Sequence, residues 1–160
     1  MRIAIGSDHG GFALKSIIAK YLREMGNEVI DMGAQSFVPS DDYPRFSKAV
    51  AEAIIKGEAE RGILVCGSGV GASIAANKFP GIRAAVCHDT FSAHQGVEDD
   101  DMNLLCMGQR VVGEELAKEI VYSFVQARFS GAERHVRRLG EVKAIEREFL
   151  KEKNKGRQEA

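Results

Sequence analysis

The chain has 160 residues, enough for one domain with a sizeable core. Its 22 Lys and Arg against 23 Asp and Glu leave a net charge of -1, so it carries no electrostatic footprint for nucleic acid or an anionic membrane. No apolar run approaches the ~20 residues that span a bilayer, and the three cysteines form neither a CxxC pair nor a Cys/His cluster, which excludes a disulfide framework and structural zinc.

Arg2–Ser7 (RIAIGS) is an apolar run that predicts the first strand and leaves no stretch before it for a signal peptide. A reduced, cytoplasmic setting is therefore expected. Leu14, Ile17, Ile18, Tyr21, Leu22 and Met25 recur at helical spacing, predicting a helix over Gly11–Met25 that ends at Gly26. Glu28–Met32 reads as a second strand and Gly33–Asp42 as a loop. Asp42-Tyr43-Pro44 places an acid before an early proline and opens a helix to about Lys56. Arg61–Cys66 (RGILVC) is a third strand, followed by the turn Gly67–Gly71 and a short helix through Lys78. Ile82–Cys87 and Asn103–Met107 are the fourth and fifth strands, separated by a helix over Thr90–Val97 and a solvated loop at Glu98-Asp99-Asp100-Asp101. Amphipathic helices over Leu116–Ala127 and Leu139–Leu150 complete a single domain at 1–150, and the polar tail 151–160 is expected to fray.

The strands are apolar throughout, so both faces of the sheet must be covered. The expectation is an α/β, three-layer Rossmann-like domain with a five-stranded, mostly parallel sheet and helices on both faces. Ligands of such sheets bind beyond the carboxyl ends of the strands. That rule points to Ser7-Asp8-His9-Gly10, Cys66–Gly71, Cys87–Thr90 and Gly108–Arg110.

The strongest local signal is Cys66-Gly67-Ser68-Gly69-Val70-Gly71, where a strand enters a glycine turn and then a helix. Converging backbone amides in such a turn suit a phosphate or a developing oxyanion. Gly67, Gly69 and Ala72 also satisfy a dinucleotide fingerprint with Asp89 about 20 residues on, but the match follows the third strand in a short chain. A P-loop fails for want of GxxxxGK[ST], and a cysteine phosphatase loop fails because position 72 is alanine. A tight turn without chemistry stays open on these residues alone. Cys66 sits where a helix N-terminus favours a thiolate, while Cys87 and Cys106 read as small core residues. Asp8 is either a helix N-cap or, with His9, a pair for hydroxyls or phosphate. Arg134 and Arg138 share one helical face at i, i+4 and read as a phosphate grip or a solvated basic turn.

Taken together the motifs resemble the type B ribose-5-phosphate isomerases, a family that includes the galactose-6-phosphate isomerase subunits. The resemblance runs from about Met1 to Val142 and is carried by Ile5-Gly6-Ser7-Asp8-His9-Gly10-Gly11-Phe12, Asp42-Tyr43-Pro44 and Gly62–Gly71. Ser73–Lys78, Gly81–Ala85, Gly108–Gly113 and Arg134-His135 with Arg138 continue it in the same order. It implies aldose–ketose isomerisation of a sugar phosphate through a cis-enediolate, without metal or other cofactor. Ribose 5-phosphate and ribulose 5-phosphate are the leading pair. The alternatives are a hexose or open-chain sugar phosphate, or a sugar-phosphate-binding module without turnover.

On that resemblance Cys66 is the base and Ser68 serves the exchange between oxygens. The amides of Gly67, Gly69 and Gly71 hold the oxyanion, Asp8 binds sugar hydroxyls, and His9, Arg110, Arg134 and Arg138 hold the phosphate. It further implies a homodimer or homotetramer with shared sites and no nucleic-acid or membrane partner. Asp99 and Asp100 stand where family enzymes carry a His-Asn pair whose histidine opens the furanose ring. Gly131-Ala132-Glu133 is one residue longer than the Gly-Gly that family members place before Arg-His.

Overall fold

The computed structural model describes residues 1–158, with 151–158 as backbone only. Strands β1 (Arg2–Ser7), β2 (Glu28–Asp31), β3 (Arg61–Cys66), β4 (Ala84–Val86) and β5 (Leu104–Gly108) form one sheet in the order β2-β1-β3-β5-β4. Every pairing is parallel, so the sheet is wholly rather than mostly so. The helices are α1 (Phe12–Glu24), α2 (Tyr43–Ile55), α3 (Val70–Ala76), α4 (Thr90–Asp100), α5 (Glu114–Gln126) and α6 (Glu133–Gln158). A 3-10 turn over His9–Gly11 links β1 to α1. Among the described residues, no helix is long and apolar enough to cross a membrane.

Strand alternation divides the core in two. Ile3, Ile5, Ile63, Val65, Leu105 and Met107 pack with α1, α4 and α5. Ala4, Leu64, Leu104 and Cys106 face α2 and α3. Both faces are therefore apolar, which is why these strands read as continuous hydrophobic runs.

Two elements differ from the sequence reading because tertiary partners decide them. Helix α4 continues past Val97 to Asp100, so most of the acidic run is helical rather than a loop. Clustered carboxylates at a helix C-terminus oppose the macrodipole. Here the end is held by Arg83, which donates to the Asp101 carbonyl at 2.7 Å and to its carboxylate at 2.8 Å. Helix α6 starts at Glu133, six residues before the expected Leu139, placing Arg134, His135 and Arg138 on its first turns. The tail expected to fray over 151–160 is described only through 158, as backbone of that helix, and 159–160 lie outside the described residues.

Strand order reverses between β1 and β3, and that is where a ligand crevice opens in such sheets. Register sets Ser7 beside Val65 and Cys66 beside Gly108, so three strand exits meet at one place. The turn leaving β1 lies directly against β3, and a Cβ at Gly11 would fall 2.2 Å from the Val65 carbonyl oxygen. Gly11→Ala is expected to destabilise the fold by about 1–3 kcal/mol through overpacking. Urea denaturation should show a lower midpoint with an unchanged slope. An unshifted midpoint would mean that the turn can move away from β3 without cost.

Candidate active site

Asp8 follows β1 directly and is buried. Its Oδ1 caps the 3-10 turn by accepting from the Gly10 amide at 3.0 Å, and its Oδ2 accepts from the Cys66 thiol at 3.3 Å. The capping role and a place in the site therefore coexist, one on each oxygen. Cys66 ends β3 half-buried and leads into the glycine turn. Gly69 has φ 81°, and a Cβ there would lie 2.9 Å from the Met107 carbonyl carbon, so only glycine fits. Ser68 is exposed, and its Oγ accepts from the Val70 amide at 3.3 Å.

The segment after β5 is zipped onto this turn. Gln109 N donates to the Cys66 carbonyl at 2.9 Å and Arg110 N to the Gly67 carbonyl at 3.1 Å. The guanidinium of Arg110 then lies over Gly67, where an added Cβ would meet its central carbon at 3.5 Å. His88, beyond β4, accepts the Gly108 amide on Nε2 at 3.0 Å and so steadies the same segment.

Asp8, His9, Cys66, Gly67, Ser68 and Arg110 line a cavity of about 290 Å³. Within it an ionisable sulfur faces a carboxylate, backbone amides and two basic side chains. Such a set can move a proton at carbon, hold a developing oxyanion and clamp a small dianion. Asp8, His9 and Asp41 also bring ligand-type atoms within 4.8 Å of one another. Asp8 is engaged with Gly10 and Cys66, and Oδ1 of Asp41 with His9.

Burial is the main cause that raises the Cys66 pKa above its ordinary value, with the hydrogen bond to Asp8 and the Asp8 charge adding to it. The amides of Gly67 and Gly69 act the other way and do not prevail. The thiolate expected from the helix N-terminus is thus disfavoured at rest. Helix α3 spans only Val70–Ala76, while the carboxylate is in direct contact. Cys87 is pushed up to about 11 by burial, and Cys106 is raised further by full burial.

Other residues singled out in the sequence lie elsewhere. Gly71 sits in α3 under the Tyr43 ring, which a Cβ would meet at 2.8 Å. Asp99 faces its own chain: Gln95 donates to Oδ2 at 2.8 Å, and His135 Nδ1 lies 3.3 Å from Oδ1. Asp100 lines a separate groove of about 480 Å³ with Arg83, Met102, Val142 and Ile145. Arg134 and Arg138 are exposed on α6 and do not line the cysteine cavity. Sequence reasoning missed Asp41, and it pointed to His88 only within the segment Cys87–Thr90, without a role. Asp41 adjoins the Asp42-Tyr43-Pro44 motif, but its partner His9 is 32 positions away, and no local pattern reports that contact.

A family model described as Ribose/Galactose Isomerase matches residues 3–142. The ribose-5-phosphate isomerase B of Escherichia coli is 50% identical over 145 residues, covering 91% of this chain and 96% of that protein. The structure of Clostridium thermocellum ribose-5-phosphate isomerase B superposes with a TM-score of 0.90 at 50% identity, covering 93% of this chain and 99% of that one. D-erythrulose-4-phosphate isomerase from Pectobacterium atrosepticum is 42% identical over 131 residues, covering 82% of this chain and 86% of that protein.

Replacing Asp8 by asparagine removes a negative charge beside the thiol and should lower the Cys66 pKa. Iodoacetamide alkylation followed against pH should show its midpoint at lower pH in Asp8→Asn than in the wild type. Cys87 and Cys106 are buried and should not compete. An unmoved midpoint would show that burial alone governs the thiol.

Proposed function

Because the chain belongs to the ribose/galactose isomerase family of sugar-phosphate aldose–ketose isomerases, we propose that it interconverts ribose 5-phosphate and ribulose 5-phosphate through a cis-enediolate. The observation that carries this reading is the convergence of thiol, carboxylate, glycine turn, imidazole and guanidinium on one cavity. His9 and Arg110 take the phosphate, and Asp8 accepts from sugar hydroxyls. A hydroxyl on Asp8 Oδ2 displaces the thiol from that carboxylate, the thiol proton passes to solvent, and Cys66 then acts as thiolate.

The thiolate takes the C2 proton, and the C–H electron pair forms the C1–C2 double bond as the carbonyl pair moves to O1. The amides of Gly67 and Gly69, which face the Cys66 sulfur, hold the resulting oxyanion. The Ser68 hydroxyl serves proton exchange between O1 and O2, and the Cys66 thiol returns its proton to C1. The sum is an internal redox exchange between two carbons that needs no external oxidant or cofactor.

Arg134 and Arg138 enter this scheme from a second copy of the chain, in a homodimer or homotetramer with shared sites. Support comes from exposed aliphatic side chains: Val111, which lines the cavity, is 56% exposed, and Val70 and Ile74 of α3, the helix that follows the cysteine turn, are 51% and 57% exposed. Exposed large aliphatic side chains of this kind suit a surface that a partner covers. A cytoplasmic setting accompanies this reading, supported by three unpaired thiols.

Asp99 favours a second substrate class. Its carboxylate is engaged with Gln95 and His135, and it stands at the position of the family's ring-opening histidine. An imidazole is the side chain suited to shuttling protons near neutrality, and a carboxylate replaces it here. A tetrose 4-phosphate carries phosphate on the oxygen that would close a furanose, so it needs no ring opening. The relative named D-erythrulose-4-phosphate isomerase is consistent with that class.

Turnover of a panel of aldose and ketose phosphates, followed by NMR, tests the function; no turnover of any member would leave only a binding module. Cys66→Ser should lose about 10²–10⁴-fold in kcat with substrate binding retained. Mixing Cys66→Ser with Arg138→Ala chains should recover part of the activity, because one site per mixed dimer has both residues intact. No recovery despite proven subunit exchange would place both residues in one chain's site.

For ribose 5-phosphate, the rate should stop rising with enzyme concentration once spontaneous ring opening limits it. Asp99→His should restore proportionality. Identical behaviour of wild type, Asp99→Asn and Asp99→His would remove Asp99 from the mechanism.

A further inference from the structure

The mechanism above makes no use of Asp41, yet this residue is among the most deeply placed carboxylates in the chain, with its side chain 1% exposed. It lies in the loop between β2 and α2, just before the Tyr43 start of that helix. Its Oδ1 accepts from the His9 amide at 2.8 Å and from His9 Nδ1 at 2.8 Å. A carboxylate has no proton to give at neutral pH, so the ring must donate from Nδ1. The other ring nitrogen, Nε2, is left for the cavity that His9 lines.

The second oxygen, Oδ2, is buried without a hydrogen-bond partner among the described residues. A half-satisfied buried carboxylate is a poor contributor to stability, since the unpaired oxygen bears its desolvation cost. An amide of the same shape would avoid burying the charge. The charge itself therefore calls for a functional reason, and the group it touches is His9.

We infer that Asp41 is the positioning residue for substrate phosphate: it orients the His9 ring through Nδ1 and holds it as a cationic Nε2–H donor. This rests on the isomerase reading of the site. Four charged or titratable groups face His9 from the elements around it. Asp8 belongs to the same turn, Asp41 to the loop before α2, Cys66 to the end of β3 and Arg110 to the segment after β5. Arg45 lines the hollow on the far side of Asp41. The hydrogen bond that His9 donates to Asp41 is the largest influence on the ring and raises its pKa above the ordinary value. Burial opposes that effect, and the charges of Asp8 and Asp41 add to it. The sign follows: imidazolium is present below the raised pKa and is lost as pH rises through it. Without the Asp41 charge that loss begins at lower pH.

The experiment compares wild type with Asp41→Asn, which keeps shape and an acceptor oxygen but removes the charge. The His9 Cε1–H resonance is titrated by NMR, and KM and kcat for ribose 5-phosphate are measured from pH 5.5 to 8.5. The wild-type resonance should titrate above the ordinary histidine value, and its midpoint should fall in the variant. KM should rise about fivefold at pH 7.5, the worth of one charge-assisted bond weakened to a neutral one. It should return to the wild-type value near pH 5.5, with kcat held throughout.

A purely structural role would raise KM by one factor at every pH, and that result would overturn the inference. So would an unmoved His9 midpoint in the variant. If Asp41→Asn fails to fold, the wild-type titration alone still decides, because a midpoint at or below the ordinary value excludes a cation held by Asp41. Inorganic phosphate separates this inference from the function it rests on. Phosphate affinity that follows the His9 titration, in a protein that turns over no sugar phosphate, would sink the isomerase reading and leave the Asp41 pairing standing.

Discussion

The exits of β1 and β3 approach so closely that the chain can leave β1 only through glycine. A Cβ at Gly10 would lie 2.9 Å from the Gly67 amide nitrogen, and one at Gly11 would lie 2.2 Å from the Val65 carbonyl oxygen. This contact is what brings Asp8 within 3.3 Å of the Cys66 sulfur. It also sets the 3-10 turn against the cysteine loop, so that His9 and Arg110 line one cavity. Side chains on the β1 turn of ordinary size would push the two exits apart. The sheet could keep its pairing, but the thiol would lose its carboxylate.

Electrostatics in this small space pull on two groups in the same direction. Carboxylates raise the pKa of both neighbours: Asp8 adds to burial at Cys66, and Asp41 leads at His9. The consequences are opposite, because sulfur works when ionised and imidazole binds anions when protonated. Raising the thiol favours a resting proton donor, and raising the imidazole favours the cation. Asp8 contributes to both effects, but the leading influence on His9 is its hydrogen bond to Asp41, which does not line the cavity.

A second set of contacts fixes the frame on which these groups sit. Lys15 of α1 is 2% exposed, and its Nζ donates to Asp31 at 2.8 and 2.9 Å and to the Ala34 carbonyl at 2.7 Å. Asp31 in turn accepts from the Gly33 amide at 2.9 Å. A buried, fully bonded cation of this kind ties α1 to the start of the loop that later supplies Asp41, and breaking one partner would leave an uncompensated charge. At the other side of the sheet, Asp99, His135 and Ser130 join α4 to α6, with Ser130 Oγ 2.7 Å from His135 Nδ1. That junction presents Arg134 and Arg138 outward from the domain.

Strand positions, the three-layer class and the cysteine loop were legible because each has a local cause. Unbroken apolar runs require burial on both faces, and helical periodicity marks α1, α2 and α5. Gly67, Ser68 and Gly69 read as a backbone-lined site because they follow a strand and precede a helix. The residues of one chain's cavity were legible from their places at strand ends, since a parallel sheet gathers those ends on one edge. What the sequence could not decide depends on contacts between distant segments. The acidic C-terminus of α4 became helical because Arg83 caps it, and the Cys66 thiol was raised because burial and Asp8 outweigh a seven-residue helix. Asp41 became a partner of His9 across 32 positions. Local pattern reports which face of an element is buried; only the tertiary fold brings charge to charge, and interaction energies that scale inversely with distance are set there.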